Sequence, residues 1–303
     1  MPILAAMDKT ARPFKQFLRD NDLPAELLDQ LTHVYQPIAD YLIRYTRYWN
    51  HRPIIGINGS QGSGKSTLCR IIEWLLNRQG KQVAILSIDD LYLDRTHRAE
   101  LARRIHPLLA TRGVPGTHDV GLGIRTLQAL QNGETVALPR FNKAEDDPYP
   151  PHQWPIRTQP VDLILFEGWC VASRPQSAAD LQEPVNGLEA EEDRRGDWRG
   201  YVNDQLAGRY QALFGLIDCL ILLEVADFSW VYGWRKKQED HLRQRQTSSR
   251  IMDARAIARF IKHFERITRH NGKILPGRAH IRLILNESQR IGKCIIKPPK
   301  GRR

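Results

Sequence analysis

The feature that most constrains how this chain can fold is the run Gly59-Ser60-Gln61-Gly62-Ser63-Gly64-Lys65-Ser66-Thr67. It follows the apolar stretch Pro53-Ile54-Ile55-Gly56-Ile57-Asn58 and precedes apolar residues at helical spacing, Leu68, Ile71, Ile72, Leu75 and Leu76. The spacing Gly-x-x-x-x-Gly-Lys-Ser predicts a buried strand that enters a tight glycine turn and leaves it as a helix. Glycines let several backbone N–H groups converge on an anion with no side chain in the way, and the helix N-terminus adds a favourable field. The run therefore reads as a phosphate-binding loop, with a helix from Gly64 to about Arg78 ended by Gly80. The bland alternative, a glycine-rich turn without function, explains neither the strand before it nor the helix after it.

Four more apolar runs predict strands, at 82–88, 161–166, 219–225 and 280–286. Buried strands alternating with helices imply an α/β fold, a mostly parallel sheet with helices on both faces. Ligands in such sheets sit beyond the carboxyl ends of the strands. Before the first strand, residues 12–48 carry an apolar helical stripe interrupted at Asp20-Asn21-Asp22. We expect a helical N-terminal extension over 1–50, packed on a main domain over 51–292. Within that domain, the polar stretch 176–199 is expected to be a mobile surface insertion and 230–250 a helical lid. A basic, disordered tail is expected over 293–303.

Charge is unevenly distributed. Residues 235–303 hold 20 Lys/Arg against 5 Asp/Glu, so the remaining 234 residues carry a net −4 of the chain's total +11. A nucleic-acid partner is one reading of a basic quarter. No nucleic-acid module accompanies the charge, however, and a basic lid over a polyphosphate accounts for it equally well. Cys69, Cys170, Cys219 and Cys294 are scattered without a C-x-x-C pair, which argues against a zinc site or disulfide framework and for a cytoplasmic location. No apolar run approaches the roughly 20 residues of a membrane span.

The polar residues at the predicted strand ends supply the chemistry. In the loop, Lys65 would span the β- and γ-phosphates of ATP, and the Ser66 hydroxyl would ligate Mg²⁺. Asp89 and Asp90 close the second strand. A carboxylate there can orient an acceptor hydroxyl and take its proton, or hold the metal through water. Glu167, after four apolar residues, occupies the place of a metal-facing Walker-B-type carboxylate. Two loops are placed to meet the acceptor: Arg112-Gly113-Val114-Pro115-Gly116-Thr117-His118-Asp119 and Leu138-Pro139-Arg140-Phe141-Asn142-Lys143. From them and from the second strand end we take Asp90, Tyr92, His118, Asp119, Arg140 and Lys143 as acceptor-binding candidates. Arg140, Lys143 and His118 suit a carboxylate, whereas Tyr92, Phe141 and Trp169 would suit a nucleoside base. Asn142-Lys143-Ala144-Glu145 differs from the guanine-reading Asn-Lys-x-Asp by ending in Glu and by following Pro139-Arg140. In the lid, Arg235 and Arg243 are candidates for neutralising charge on the transferring phosphoryl group.

Taken together, Ser87-Ile88-Asp89-Asp90-Leu91-Tyr92, Gly116-Thr117-His118-Asp119, Phe166-Glu167-Gly168-Trp169 and Trp234-Arg235-x-x-Gln238-Glu239 resemble the P-loop kinases grouped with uridine kinase, phosphoribulokinase and pantothenate kinase. Among these the chain looks most like the D-glycerate 3-kinase branch of plants and cyanobacteria. The resemblance implies a P-loop NTPase fold and ATP-dependent phosphorylation of a small hydroxy acid. It also implies Asp89 as the base, Glu167 near Mg²⁺ and a lid around Arg235. The chain departs at Leu91, where an aromatic residue is common, at Ala144-Glu145-Asp146-Asp147-Pro148, and in the 176–199 stretch.

Overall fold

The computed structural model describes residues 2–46, 49–245 and 252–298. Helix α1 (Pro2–Asp20) leads into a 3₁₀ turn (Ala25–Gln30), a π turn (Leu31–Tyr35) and α2 (Gln36–Thr46). The break falls where Asp20-Asn21-Asp22 was expected to interrupt the helix, and Asp22 is left-handed with φ 55°. Strand β1 (Ile54–Gly59), α3 (Lys65–Asn77), β2 (Val83–Ser87), α4 (Arg95–Arg104) and α5 (Val120–Asn132) follow. Four two-residue strands form a pair of small antiparallel ladders: β3 (Val136–Ala137) with β6 (Ile156–Arg157), and β4 (Phe141–Asn142) with β5 (Asp147–Pro148). Then come β7 (Leu163–Gly168), α6 (Gly187–Glu192), α7 (Asp197–Ala207), α8 (Arg209–Phe214), β8 (Cys219–Val225), α9 (Ser229–Arg245), α10 (Ala254–Arg278), β9 (Ile281–Leu285) and β10 (Ile291–Ile296).

The main sheet has the order β10-β9-β8-β1-β7-β2, parallel throughout except for the edge strand β10. Strand periodicity divides its side chains between two cores. Ile55, Ile57, Leu163 and Leu165 face the extension and α3, while Ile54, Ala84, Ile164 and Phe166 face α5, α8 and α10. Every residue of β1 and β7 is buried, as a central parallel strand covered on both sides requires.

Two expectations are corrected. The 176–199 stretch is an ordered part of the domain, because its charges are matched inside the fold. Glu189, fully buried, meets Arg266 of α10 at 2.6 Å, and buried Asp193 meets Arg199 at 3.0 Å. Leu188 and Trp198 anchor the same stretch in the core. The supposed tail is a strand as far as Ile296, since Cys294-Ile295-Ile296 pairs with β9 and the flanking Lys293 suits an edge strand. Residues 299–303, and 246–250 of the expected lid, lie outside the described residues.

Part of the charge imbalance is met within the fold. Basic residues of the last quarter pair with acids far upstream: Arg259 with Glu192, Arg266 with Glu189, Arg282 with Glu224 and Arg290 with Asp29. Four of the region's twenty basic residues are thus committed to acids elsewhere in the fold, Arg266 in a buried pair. Removing one member of a buried pair strands the other, so Arg266→Ala should destabilise the protein by about 3–5 kcal/mol. Urea denaturation checks this; a loss below about 1 kcal/mol would mean that Glu189 finds another partner or water.

Candidate active site

The loop after β1 has the curvature its glycines allow. Gly62 (φ +75°) lies under α9, where an added Cβ would come within 2.7 Å of Trp234 Cβ. Helix α9, expected as the lid, therefore packs directly on the phosphate loop. Lys65 Nζ donates to the Ser60 carbonyl at 3.0 Å, and Ser66 Oγ donates to Glu167 Oε1 at 2.9 Å. Glu167 is expected just past its strand; it lies within β7 instead, in register with Ile57 and Ser87 and 6% exposed. Its carboxylate reaches the loop because β7 is the direct neighbour of β1.

One strand further out, Asp89 sits in a 3₁₀ turn (Ile88–Leu91) capped by Ser87. Asp89 Oδ1 accepts from the Tyr92 hydroxyl at 2.9 Å, and Oδ2 accepts from Lys143 Nζ at 2.7 Å. Burial pushes this carboxyl up, but Lys143, the Tyr92 hydroxyl and Lys65 outweigh it and hold the group far below the usual carboxylate range. Asp89 reciprocally raises the proton affinity of Lys143. Asp90 has a different job. Its carboxylate accepts from Phe141 N at 3.1 Å and Arg140 Nη1 at 3.3 Å, fastening the 138–143 loop beneath the site, and burial raises its pKa.

His118 is buried, stacks on Tyr92 with centroids 4.5 Å apart, and meets the Tyr210 hydroxyl through Nδ1 at 2.6 Å. Its Nε2 has no partner among the described residues. Burial depresses its pKa from 6.5 to about 3, so the ring is neutral at working pH. The unfolded chain therefore binds a proton that the native state refuses, and stability falls as pH drops from about 6.5 toward 3. His118→Gln should flatten that part of a pH–stability profile while adding no inflection in activity between pH 6 and 8. A limb in that range which vanished in the variant would show a titrating His118.

Asp119 has a structural role that the sequence reading did not assign: its Oδ1 caps α5 by accepting from Leu122 N at 2.8 Å. Arg235 pairs with Glu239, lies 3.3 Å from Gln238 Oε1 and sits over the Phe260 ring. It is nonetheless within electrostatic reach of Asp89. Arg243 falls within α9, but its side chain lies outside the described residues.

Two functional candidates escaped the sequence reading. Arg112 ion-pairs with Asp146, lies over the Phe141 ring, and is within electrostatic reach of Lys143, Tyr92 and Arg235. Asp146, left-handed at φ 61°, also holds buried Arg98 at 2.8 Å. The available signal was Arg112 heading its own loop motif; the Asp146 role depends on a turn that no local pattern announces.

Ser66 and Glu167 are the residues that could hold a metal. Ser66 Oγ and Glu167 Oε1 are hard oxygen donors 2.9 Å apart at the mouth of the loop. No cluster of three His, Cys, Asp or Glu suited to a metal occurs among the described residues, so a cation here would take most of its ligands from phosphate and water, the habit of Mg²⁺.

The sequence profile of the phosphoribulokinase/uridine kinase family matches residues 54–182. The uncharacterized kinase mug58 of Schizosaccharomyces pombe is 34% identical over 223 residues, which is 70% of this chain and 78% of that protein. The chain belongs to the phosphoribulokinase/uridine kinase family. It is accordingly a P-loop kinase of small metabolites, and the family uses ATP as phosphate donor. The chloroplastic D-glycerate 3-kinase of Arabidopsis thaliana is 33% identical over 201 residues, 63% of this chain but only 42% of that protein. In fold, a D-glycerate 3-kinase from Cryptococcus neoformans superimposes with a TM-score of 0.72 at 23% identity, covering 86% of this chain and 98% of that one. No helix among the described residues is long and apolar enough to cross a membrane.

Proposed function

We propose that this kinase phosphorylates a small hydroxy acid, and that the acceptor is D-glycerate, giving 3-phosphoglycerate. The observation that carries the proposal is the cluster of cations around Asp89: Lys143 pairs with it directly, Arg235 is within electrostatic reach of it, and Arg112 is within electrostatic reach of Lys143 and Arg235. Arg112 carries five N–H donors and directs one to Asp146, leaving donors for an acceptor carboxylate. A nucleoside acceptor is less well served. Tyr92 is stacked on His118, Trp169 is buried edge-on against Phe264 with its N–H on the Gly113 carbonyl, and Phe141 is buried. Identity to a D-glycerate 3-kinase adds independent support.

In this reading Lys65 and the loop amides hold the phosphates, and Asp89 orients the acceptor hydroxyl. Its oxygen attacks the γ-phosphorus as the bond to the ADP oxygen breaks. The low proton affinity of Asp89 suits a late proton transfer, as a loose phosphoryl transition state asks. Mg²⁺, held by Ser66 and Glu167, would neutralise charge on the phosphates. Arg235 would approach the transferring group by exchanging Glu239 for phosphate oxygens. An ATP-consumption assay with D-glycerate, pantothenate, uridine and ribulose 5-phosphate decides the acceptor. The proposal fails if D-glycerate gives no turnover above the acceptor-free rate while another compound does.

A further inference from the structure

We propose that the N-terminal extension forms the base-recognising wall of the nucleotide site. The proposal rests on this being an ATP site and is independent of which acceptor is used. A cavity of about 350 Å³ opens beside the phosphate loop and is lined by Gly62 and Gly64 of the loop and by Thr67 of α3. Pro24 and Leu27 of the extension, Gln289 of the β9–β10 turn and Ile291 of β10 line it as well. A triphosphate held on the loop would have its sugar and base within reach of this cavity, which the glycines of the loop itself line. The volume lies within the roughly 300–1,000 Å³ of small-molecule pockets.

The walls match a flat heterocycle. Leu27 comes from the extension, Leu223 and Leu285 from the sheet, and Ile291 from the edge strand, so the base would enter an aliphatic slot. Polar bonds hold these separate pieces in place. Gln30 donates to the Ile291 carbonyl at 3.0 Å and accepts from the Tyr35 hydroxyl at 3.0 Å. Arg290 meets Asp29 at 2.9 Å, and Gln289 donates to the Gly62 carbonyl at 2.5 Å. Extension, hairpin turn and phosphate loop are thereby tied into one frame. Gln30 and Tyr35 are positioning residues, because their polar groups are committed to each other and to the hairpin. Both the extension and the hairpin lie outside residues 54–182 matched by the family profile. In this reading the base is met by segments outside the matched range, while the phosphates are held by the loop inside it.

The test compares a ligand that has a base with one that does not. Calorimetric titration of the full chain with ATP and with inorganic tripolyphosphate, both with Mg²⁺, needs no acceptor, so failure of the glycerate reading would not affect it. Leu27 is half-buried, and Leu27→Asp should weaken ATP binding by about tenfold or more, as expected when a pocket gives up one apolar wall. Tripolyphosphate affinity should stay within about twofold of the native value. Leu27→Ala should shift ATP in the same direction by a smaller factor, and serves if the aspartate variant does not fold. Unchanged ATP affinity in the variants, or a parallel loss for both ligands, overturns the proposal.

Discussion

Lys65→Ala removes phosphoryl transfer to every acceptor, lowering turnover by about a thousandfold or more while the protein remains folded. The loss follows from where the charge sits. A cation fixed against the β- and γ-phosphates acts where negative charge moves during transfer, and donors of that kind are worth factors of hundreds to many thousands. Folding should be spared because Lys65 is only partly buried and its hydrogen bond is to the Ser60 carbonyl of its own loop. Thermal unfolding within a few degrees of the native protein, alongside lost product formation, is the expected pair of results. A variant that transfers phosphate at the native rate would remove the phosphate loop from the mechanism altogether.

Asp89→Asn comes next in size. Turnover should fall by about a hundredfold or more, the scale of a missing general base, with the KM for ATP within about twofold. Asparagine preserves an oxygen for the Tyr92 hydroxyl but loses the ion pair to Lys143 and the capacity to take a proton. Lys143 is largely exposed, so water can solvate it once the carboxylate is gone, and no buried charge is stranded. Steady-state kinetics separate the two roles available to this residue. If turnover survived and the KM for ATP rose, Asp89 would be a member of the metal's shell, not the group facing the acceptor hydroxyl.

Much of the candidate site was legible because it is local. The phosphate loop, Ser66, Asp89 and Glu167 each sit at the junction of a strand with a turn, and strand order in a parallel sheet then brings those junctions together. Less was legible where role depends on a distant partner. Asp119 belongs to a conspicuous Gly-Thr-His-Asp run, yet the next turn of chain is helical and takes its carboxylate as a cap. Asp90 adjoins Asp89, but the 3₁₀ turn sends the two side chains to different neighbours, Arg140 and Lys143. Glu189 and Asp193 looked like solvent-facing charges of an insertion; Arg266, 77 residues away, and Arg199 make them interior groups.

The sequence by itself determined the α/β architecture, the phosphate loop and the carboxylates at its neighbouring strand ends, since periodicity and turn chemistry operate over a few residues. It placed a helical extension before the first strand but assigned it only packing. Tertiary structure decided that Arg112, paired with Asp146, lies near Lys143 and Tyr92, that four basic residues of the last quarter pair with upstream acids, and that Leu27 lines the cavity beside the loop. Those roles rest on contacts between segments tens to hundreds of residues apart. Ion pairing and cavity shape depend on distance in space, and no local pattern of residue types records that distance.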